Sequence, residues 1–335
     1  MEPRLPVTID RRLLSRLMDL DDYYAAAEAA FLAHAHGRTR MPMPLHIEAD
    51  AGGFHAKGAY VELDDRAWVA VKVNSNFPGN PAKGLPTIQG AVLLYDAEDG
   101  RLLAILDSME ITSKRTAAAS ALAAKHLSRG DAHHVAILGC GEQGRAQLAA
   151  IARVRTIRSA MAWDGNAEKA RLYAEEMSRA LGITVIAAPT VRQATQTADI
   201  VVTATTSREP FLGPGDVRNG TFIAAVGADA PHKSELHPEL VARSKVVADS
   251  LEQARVMGDL HHAIAAGKVP CDRAHTELAD IVCGRKPGWA SGAETTIFDS
   301  TGLAIQDVAA AALAYDRSCS ADCLFTAPEE RGNCS

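Results

Sequence analysis

The stretch His134–Asp164, HVAILGCGEQGRAQLAAIARVRTIRSAMAWD, decides the fold. Val135–Leu138 is a short apolar run suited to a buried parallel strand, and Gly139-Cys140-Gly141-Glu142-Gln143-Gly144 follows at once. Ala146, Leu148, Ala149, Ile151 and Ala152 then form an apolar helical stripe, Met161-Ala162-Trp163 reads as a second strand, and Asp164 ends it. In such a unit Gly139 permits the tight turn, Gly141 lets a pyrophosphate approach the backbone, and Gly144 lets the helix lie close to the strand. The helix N-terminus offers free N–H groups and a partial positive charge to the phosphates. Asp164 stands roughly 20–25 residues past the first glycine, where a carboxylate accepts from a ribose hydroxyl. A dinucleotide site is the reading; glycines that serve packing alone are the bland alternative.

Beyond Asp164 the rhythm continues. Ala167–Leu181 reads as a helix closed by Gly182, and Thr190–Thr197 as a short helix capped by Thr190. Ile183–Ala187, Ile200–Thr205, Thr221–Val226, Lys245–Ala248 and Ile297-Phe298 read as strands. Alternating strands and helices predict a doubly wound parallel sheet with right-handed crossovers, binding ligands beyond the carboxyl ends of its strands. Thr203 and Thr205 stand at one such end and Gly227-Ala228-Asp229 at another. Asp229, just past a buried strand, is a catalytic candidate. The helix predicted over Leu303–Tyr315 returns to the first half of the chain, and the tail from Ser318 reads as polar and loose.

Before the glycine turn the pattern changes to α+β. Helices are predicted over Ile9–Leu17 and Asp21–His34, the second capped by Asp21-Asp22. Strands follow over Leu45–Ala49, Phe54–Val61, Trp68–Val73, Ile88–Tyr95 and Leu102–Leu106. In Trp68–Asn74, Val69, Val71 and Val73 face one way, and Lys72 projects from the other face with Trp68, Ala70 and Asn74. On spacing alone that lysine belongs to a solvated sheet face. The proline- and glycine-rich loop Asn74–Thr87 is long enough to suggest function. Ile111–Leu127 reads as an alanine-rich helix suited to close packing against another helix or a subunit, with Lys114 and Arg115 near its first turn. Cations are disfavoured there, so a nearby anion is one explanation and two solvated charges the other.

At 335 residues, 47% of them apolar, the chain suits two well-cored domains rather than a disordered one. A formal charge of −6 argues against a nucleic-acid surface. No apolar run approaches the ~20 residues of a membrane span, and the N-terminus carries no apolar signal core. A cytoplasmic protein is expected. Cys140, Cys271, Cys283, Cys319, Cys323 and Cys334 show no zinc spacing, so no metal site is expected and free thiols are, with a metal or a disulfide at Cys319-x3-Cys323 as the alternative.

Several longer stretches carry a resemblance: AVKVNSNFPGNPAKGLPT (70–87), LDSMEITSKRTAAASALAAKHLSR (106–129), ILGCGEQG (137–144), AVGADAPHKSEL (225–236) and TIFDSTGLAIQDVA (296–309). Over residues 8–317 the chain resembles the ornithine cyclodeaminase/mu-crystallin family, with wording around Asn80–Thr87 and Phe298–Val308 most like archaeal alanine dehydrogenase. The resemblance implies a Rossmann domain over 118–302. It also implies a substrate-binding and dimerisation domain over 1–117 and 303–335, a homodimer, and a site in the cleft between the two domains. It implies Lys72 as the active-site lysine, Arg115 as the ligand of the substrate carboxylate, and Asp229 as an acid assisting proton transfer at the amine. The family's second carboxylate ligand, an arginine near Pro42–Pro44, is missing here; Arg40, or Lys57 from the next strand, is the candidate for its place. Thr116, Glu142, Gln143, Val226, Gly227 and Thr301 join Gly139, Gly141, Gly144, Asp164, Thr203 and Thr205 as expected cofactor-binding residues.

The implied activity is NAD(P)-dependent oxidoreduction at the Cα–N bond of a small amino or imino acid. Alanine dehydrogenase and ketimine reductase are the two types expected, with ornithine cyclodeamination or a non-catalytic mu-crystallin-like binding role as alternatives. Asp164, followed by Gly165 and Asn166 rather than by an arginine, predicts NAD(H) over NADP(H), since a carboxylate repels the 2′-phosphate.

Overall fold

The computed structural model describes residues 5–271 and 275–325, with side chains described to residue 320. Expectations for Cys334, for the side chain of Cys323 and for the extreme ends of the first domain lie outside the described residues. Two sheets organise the rest.

The first sheet is a meander of antiparallel strands, Leu102–Asp107, Ile88–Asp96, Arg66–Asn76 and Gly52–Leu63, in that spatial order. Thr39–Arg40 and Leu45–Ala49 pair with Gly52–Leu63. Val7–Ile9 adds a parallel edge strand beside Leu102–Asp107. Ile9 was expected in a helix; it ends this strand instead, because Asp10 takes the N-cap and accepts from Leu13 N at 2.8 Å, so the helix starts at Arg11. The helix Leu20–Ala35 is capped by Asp19 rather than by Asp21-Asp22, in a reciprocal capping box with Asp22.

The second sheet has eight parallel strands, in the order Thr184–Ala187, Ser159–Trp163, His134–Leu138, Ile200–Thr203, Phe222–Ala225, Thr296–Asp299, Lys245–Ala248, Thr276–Glu277. Strand order reverses beside His134–Leu138, so the crevice of a doubly wound fold opens at the carboxyl end of that strand and of Ile200–Thr203. The parallel sheet read from the sequence is therefore present, with seven strands within two residues of the bounds expected; the edge strand Thr276–Glu277 was not read there.

The helix Ser108–Leu127 joins the two sheets. Its Ala117 and Ala121 pack on Ala146 and Ala150 of the helix Glu142–Val154, so its small residues serve a helix of the same chain. The helix is continuous through residue 117, where the sequence suggested a domain boundary. Asp107 caps it, which places Arg115 two turns inside rather than near the first turn, where the helix dipole no longer disfavours a cation. The helix Ala304–Phe325 returns to pack on Leu20–Ala35 and on the first sheet, and Arg317 pairs with Asp22. It runs straight through Ser318, which was expected to begin a loose tail. None of the helices described is long and apolar enough to cross a membrane.

Candidate active site

The floor of the site is the strand pair Gly52–Leu63 and Arg66–Asn76. Lys57 and Lys72 lie directly opposite each other there. Alternation puts Lys72 on one face with Trp68 and Ala70, and this face is the buried one: Lys72 is 4% exposed, under the helices Ser108–Leu127 and Ala304–Phe325. The valine face, expected inside, is the open one, with Val73 exposed. Two helices cover the lysine face, which reverses the solvated reading.

A buried lysine needs a counter-charge, and Asp307 supplies it from the first turn of the last helix. Lys72 Nζ lies 2.7 Å from Asp307 Oδ2, a close ion pair without aligned hydrogen-bond geometry, and donates to Thr112 Oγ1 at 3.2 Å. Arg115, also buried, donates from Nε to Asp307 Oδ1 at 3.0 Å and from Nη1 to Gln306 Oε1 at 2.9 Å. Lys57 Nζ donates to the carbonyls of Thr301 and Gly302 at 3.0 and 2.9 Å. Three cations thus surround one carboxylate. Burial pushes Lys72 down to about 7; Asp307 opposes that shift, while Arg115 and Lys57 add to it. Burial, then Arg115, also lowers Lys57. Burial pushes the Asp307 carboxyl up, but Arg115 and Lys72 more than offset it, so it stays ionised.

These groups open into a cavity of about 420 Å³ between the two sheets. Lys57, Lys72, Arg115 and Thr116 line it from the first sheet and the joining helix. Gly141, Glu142, Gln143, Val226, Asp229 and Thr301 line it from the crevice of the parallel sheet. Asp229 is about half exposed to the cavity, and Lys233 Nζ lies 2.5 Å from its Oδ1. The surrounding walls desolvate it, yet the Lys233 charge holds its carboxyl below the ordinary range.

The glycine turn fits a dinucleotide. Gly139 has φ +108, and a Cβ there would meet Ala204 O at 2.4 Å; a Cβ on Gly144 would meet Gly139 O at 2.2 Å. Both are therefore needed for the turn itself. Gly141 caps the following helix and faces open space, leaving room for a phosphate against the first N–H groups. Beside it a smaller cavity is lined by Cys140, Gly141, Arg145, Asp164, Lys169 and Leu172. Asp164 accepts from Cys140 N at 3.0 Å and from Asn166 N at 2.9 Å, so both its oxygens are anchored to backbone.

Fully buried acids hold the crevice loops from beneath. Glu235 accepts from Thr205 N at 2.7 Å and Gly227 N at 2.8 Å, so Thr205 and Gly227 help shape the crevice wall rather than its lining. Burial raises Glu235 to about 7, helped by Asp259. Asp249 accepts from Gly302 N at 2.6 Å and Thr301 Oγ1 at 2.9 Å, which fixes the two carbonyls that take Lys57. Thr203 closes its strand, fully buried.

Of the residues expected to bind substrate, Arg40 is not brought to the cavity: it stacks over Tyr60, 4.6 Å from the ring centroid. Asp307, Gln306, Thr112, Glu235 and Asp249 were not singled out in the sequence. The available signal was an acid directly after a buried strand at Asp249, and an acid in the conspicuous run TIFDSTGLAIQDVA at Asp307.

The family model described as ornithine cyclodeaminase/mu-crystallin family matches residues 11–322. This chain belongs to that family. It is 37% identical to Δ1-pyrroline-2-carboxylate reductase of Thermococcus litoralis, solved with NADH and L-proline, with TM-score 0.90 over 94% of this chain and 98% of that one. An archaeal alanine dehydrogenase dimer with bound NAD superimposes with TM-score 0.89 at 35% identity, covering 95% of this chain and 97% of that one. The iminosuccinate reductase of Paracoccus denitrificans is 33% identical over 314 residues, 91% of this chain and 94% of that protein.

Proposed function

We propose that this chain is an NAD-dependent oxidoreductase acting at the Cα–N bond of a small amino or imino acid, as a dehydrogenase or imine reductase. The observation that carries the reading is the buried Lys72–Asp307–Arg115 cluster opening into one cavity with the glycine turn. Nicotinamide, when bound, supplies or accepts the hydride at Cα. Arg115 holds the substrate carboxylate and so orients Cα. Lys72, with a pKa near neutrality, takes the proton from the amine in oxidation and returns it in reduction. Asp229 assists at the same nitrogen. The glycine turn and the N-terminus of Glu142–Val154 hold the pyrophosphate, and Thr116, Val226 and Thr301 border the nicotinamide side.

NAD(H) is preferred over NADP(H). Asp164 is fixed through both oxygens and cannot swing away from a 2′-phosphate without releasing the glycine turn. Arg145, the arginine beside it, is spent on the carbonyls of Cys140 and Gly141 and on Glu176.

The division into a substrate domain (1–117 and 303–335) and a cofactor domain (118–302) follows the two sheets, with Ser108–Leu127 shared between them. A homodimer forms through the open face of the first sheet. There Val69, Val71 and Val73 lie in register with Tyr95, Leu93 and Ala91, and Leu45, Ile47 and Phe54 extend the same apolar face. A sheet face this apolar needs covering, and the relative solved with NAD is a dimer.

An absorbance assay tests the function: NADH against pyruvate plus ammonia, then against 1-pyrroline-2-carboxylate. Dehydrogenase or reductase activity consumes NADH. Ammonia release from ornithine with no net change in cofactor identifies a cyclodeaminase instead, and neither signal identifies a binding protein.

A further inference from the structure

We propose that the cavity contains a second, distal subsite that reads an anion, formed by His55 and His232 with His46 behind, so that the substrate is a dicarboxylic 2-oxo or 2-imino acid. The inference rests on the reading that Arg115 takes the α-carboxylate.

The register of the floor strands sets the subsite. Lys57 opposes Lys72, and one step along the same face His55 opposes Asn74. Residues two apart on a strand are roughly 6.5–7 Å apart, a span that a substrate side chain of a few carbons covers from the lysine at its nitrogen. His46 opposes His55 on the neighbouring strand, with 3.3 Å between the two Nδ1 atoms. At that separation one imidazole donates to the other, which ties the two rings together. From the opposite wall, the loop after Phe222–Ala225 contributes His232 and Lys233 to the same cavity as His55.

The charges around this end favour an anion. His55 faces His46, Asp229, Lys57 and Lys233; His232 faces Arg208, Lys233, Asp229 and His46. Asp229 is the acid in both sets, and it is already ion-paired with Lys233. Glu142, the other acid lining the cavity, stands on the glycine turn at the cofactor end. Among the described residues no unpaired carboxylate at the distal end receives a side-chain ammonium, whereas imidazoles and cations converge there. Burial first, and then mainly neighbouring cationic groups, hold both histidines below their ordinary value. They are neutral in the free enzyme at pH 7, and an incoming carboxylate draws a proton onto them.

The test uses the full-length enzyme. In reductive amination, ammonia condenses with the 2-oxo acid, water leaves, and NADH plus a proton reduce the imine to the amino acid. Oxaloacetate and 2-oxoglutarate are compared with pyruvate and 2-oxobutyrate, the last matching oxaloacetate in chain length without its second charge. We expect kcat/KM at least tenfold higher for one of the dicarboxylates, and a tenfold fall of that ratio in His55→Leu and in His232→Leu. Preference for pyruvate or 2-oxobutyrate, or a ratio unchanged in both variants, overturns the subsite.

Calorimetry on the NAD complex provides a readout apart from turnover, with malate and lactate as unreactive probes. Malate binds at least tenfold tighter than lactate, and its advantage shrinks from pH 6 to pH 8 as the histidines resist protonation. Equal binding, or tighter binding of 2,4-diaminobutyrate than of malate, overturns the proposal. If no 2-oxo or imino acid turns over, the assigned reaction fails, and the malate-to-lactate ratio still decides the subsite.

Discussion

Asp307→Asn separates the charge of the central carboxylate from its volume. Asparagine fills the same space and keeps an oxygen for Arg115, but three cations then share a buried cluster with no counter-ion. At 2.7 Å and an effective dielectric near 20, the lost attraction on Lys72 is about 6 kcal/mol. That equals about 4.5 pKa units as a ceiling; water entering beside the amide and competition from Arg115 reduce it, and about one unit is a conservative floor. Because Lys72 already stands at about 7, the change drives it further down. Amine oxidation needs the neutral lysine, so the rising limb of kcat/KM against pH, which reports the free enzyme, moves from about 7 to 6 or below. At pH 6 the wild type runs at roughly a tenth of its own plateau, and the variant at half or more of its own, lower plateau. The fold weakens as well, by about 3–5 kcal/mol, the usual cost of breaking a buried ion pair. The assay is initial-rate amine oxidation with NAD between pH 5 and 9, with thermal melts on the same samples. A limb displaced by less than about 0.3 units in a folded variant refutes Lys72 as the titrating group or Asp307 as its partner.

Four further outcomes are expected. Arg115→Ala raises KM and lowers kcat, together costing at least about 10²-fold in kcat/KM because orientation is lost along with affinity; Arg115→Lys recovers little, a point charge being no substitute for the fork, and a near-wild-type Lys variant removes Arg115 from the carboxylate role. Lys72→Met lowers turnover by about 10²–10⁴-fold while NADH binding, followed by nicotinamide fluorescence, changes little; substantial residual turnover assigns the proton transfer elsewhere. In the wild type, kcat/KM for NAD exceeds that for NADP by about tenfold or more, since one repelled charge is worth at least ~1.4 kcal/mol, and Asp164→Asn with Gly165→Arg reverses the order; equal values in the wild type show that Asp164 does not read the ribose. Val71→Asp, on the open face of the first sheet, converts a dimer to a monomer in light scattering at micromolar concentration, and a wild-type monomer refutes that face as the interface.

The parts of this molecule legible in the sequence are those where chemistry and local geometry coincide. The glycine turn was legible because its pattern is continuous: strand, turn, helix and acid follow in one run, and Gly144 makes room for the carbonyl of Gly139 five residues before it. Ala167–Leu181 was legible to the residue because Asn166 and Gly182 cap it from within the chain's immediate neighbourhood. Lys72 was different. Its alternation was plain, but which face of the strand is buried depends on helices some 40 and more than 230 residues away, and periodicity has no access to them. The valines were the natural choice for the inner face. Their outward position makes sense once that face is itself given to a partner.

Asp307 shows the same limit from the other side. An acid in the first turn of a helix has a complete local explanation, since it complements the helix dipole, and nothing nearby in the sequence asks for more. Its second role appears only when the last helix lies across Lys72 and Arg115, residues 235 and 192 positions earlier. Arg115 is the matching case: the sequence left it between a nearby anion and a solvated charge, and in the fold it is buried against this carboxylate. Asp307 therefore does for the protein what a substrate carboxylate does for the reaction. It holds Arg115 by Nε and Lys72 by Nζ before substrate arrives, so the guanidinium is already set when a carboxylate enters the cavity, and a lysine surrounded by like charges still retains a proton to give near neutral pH.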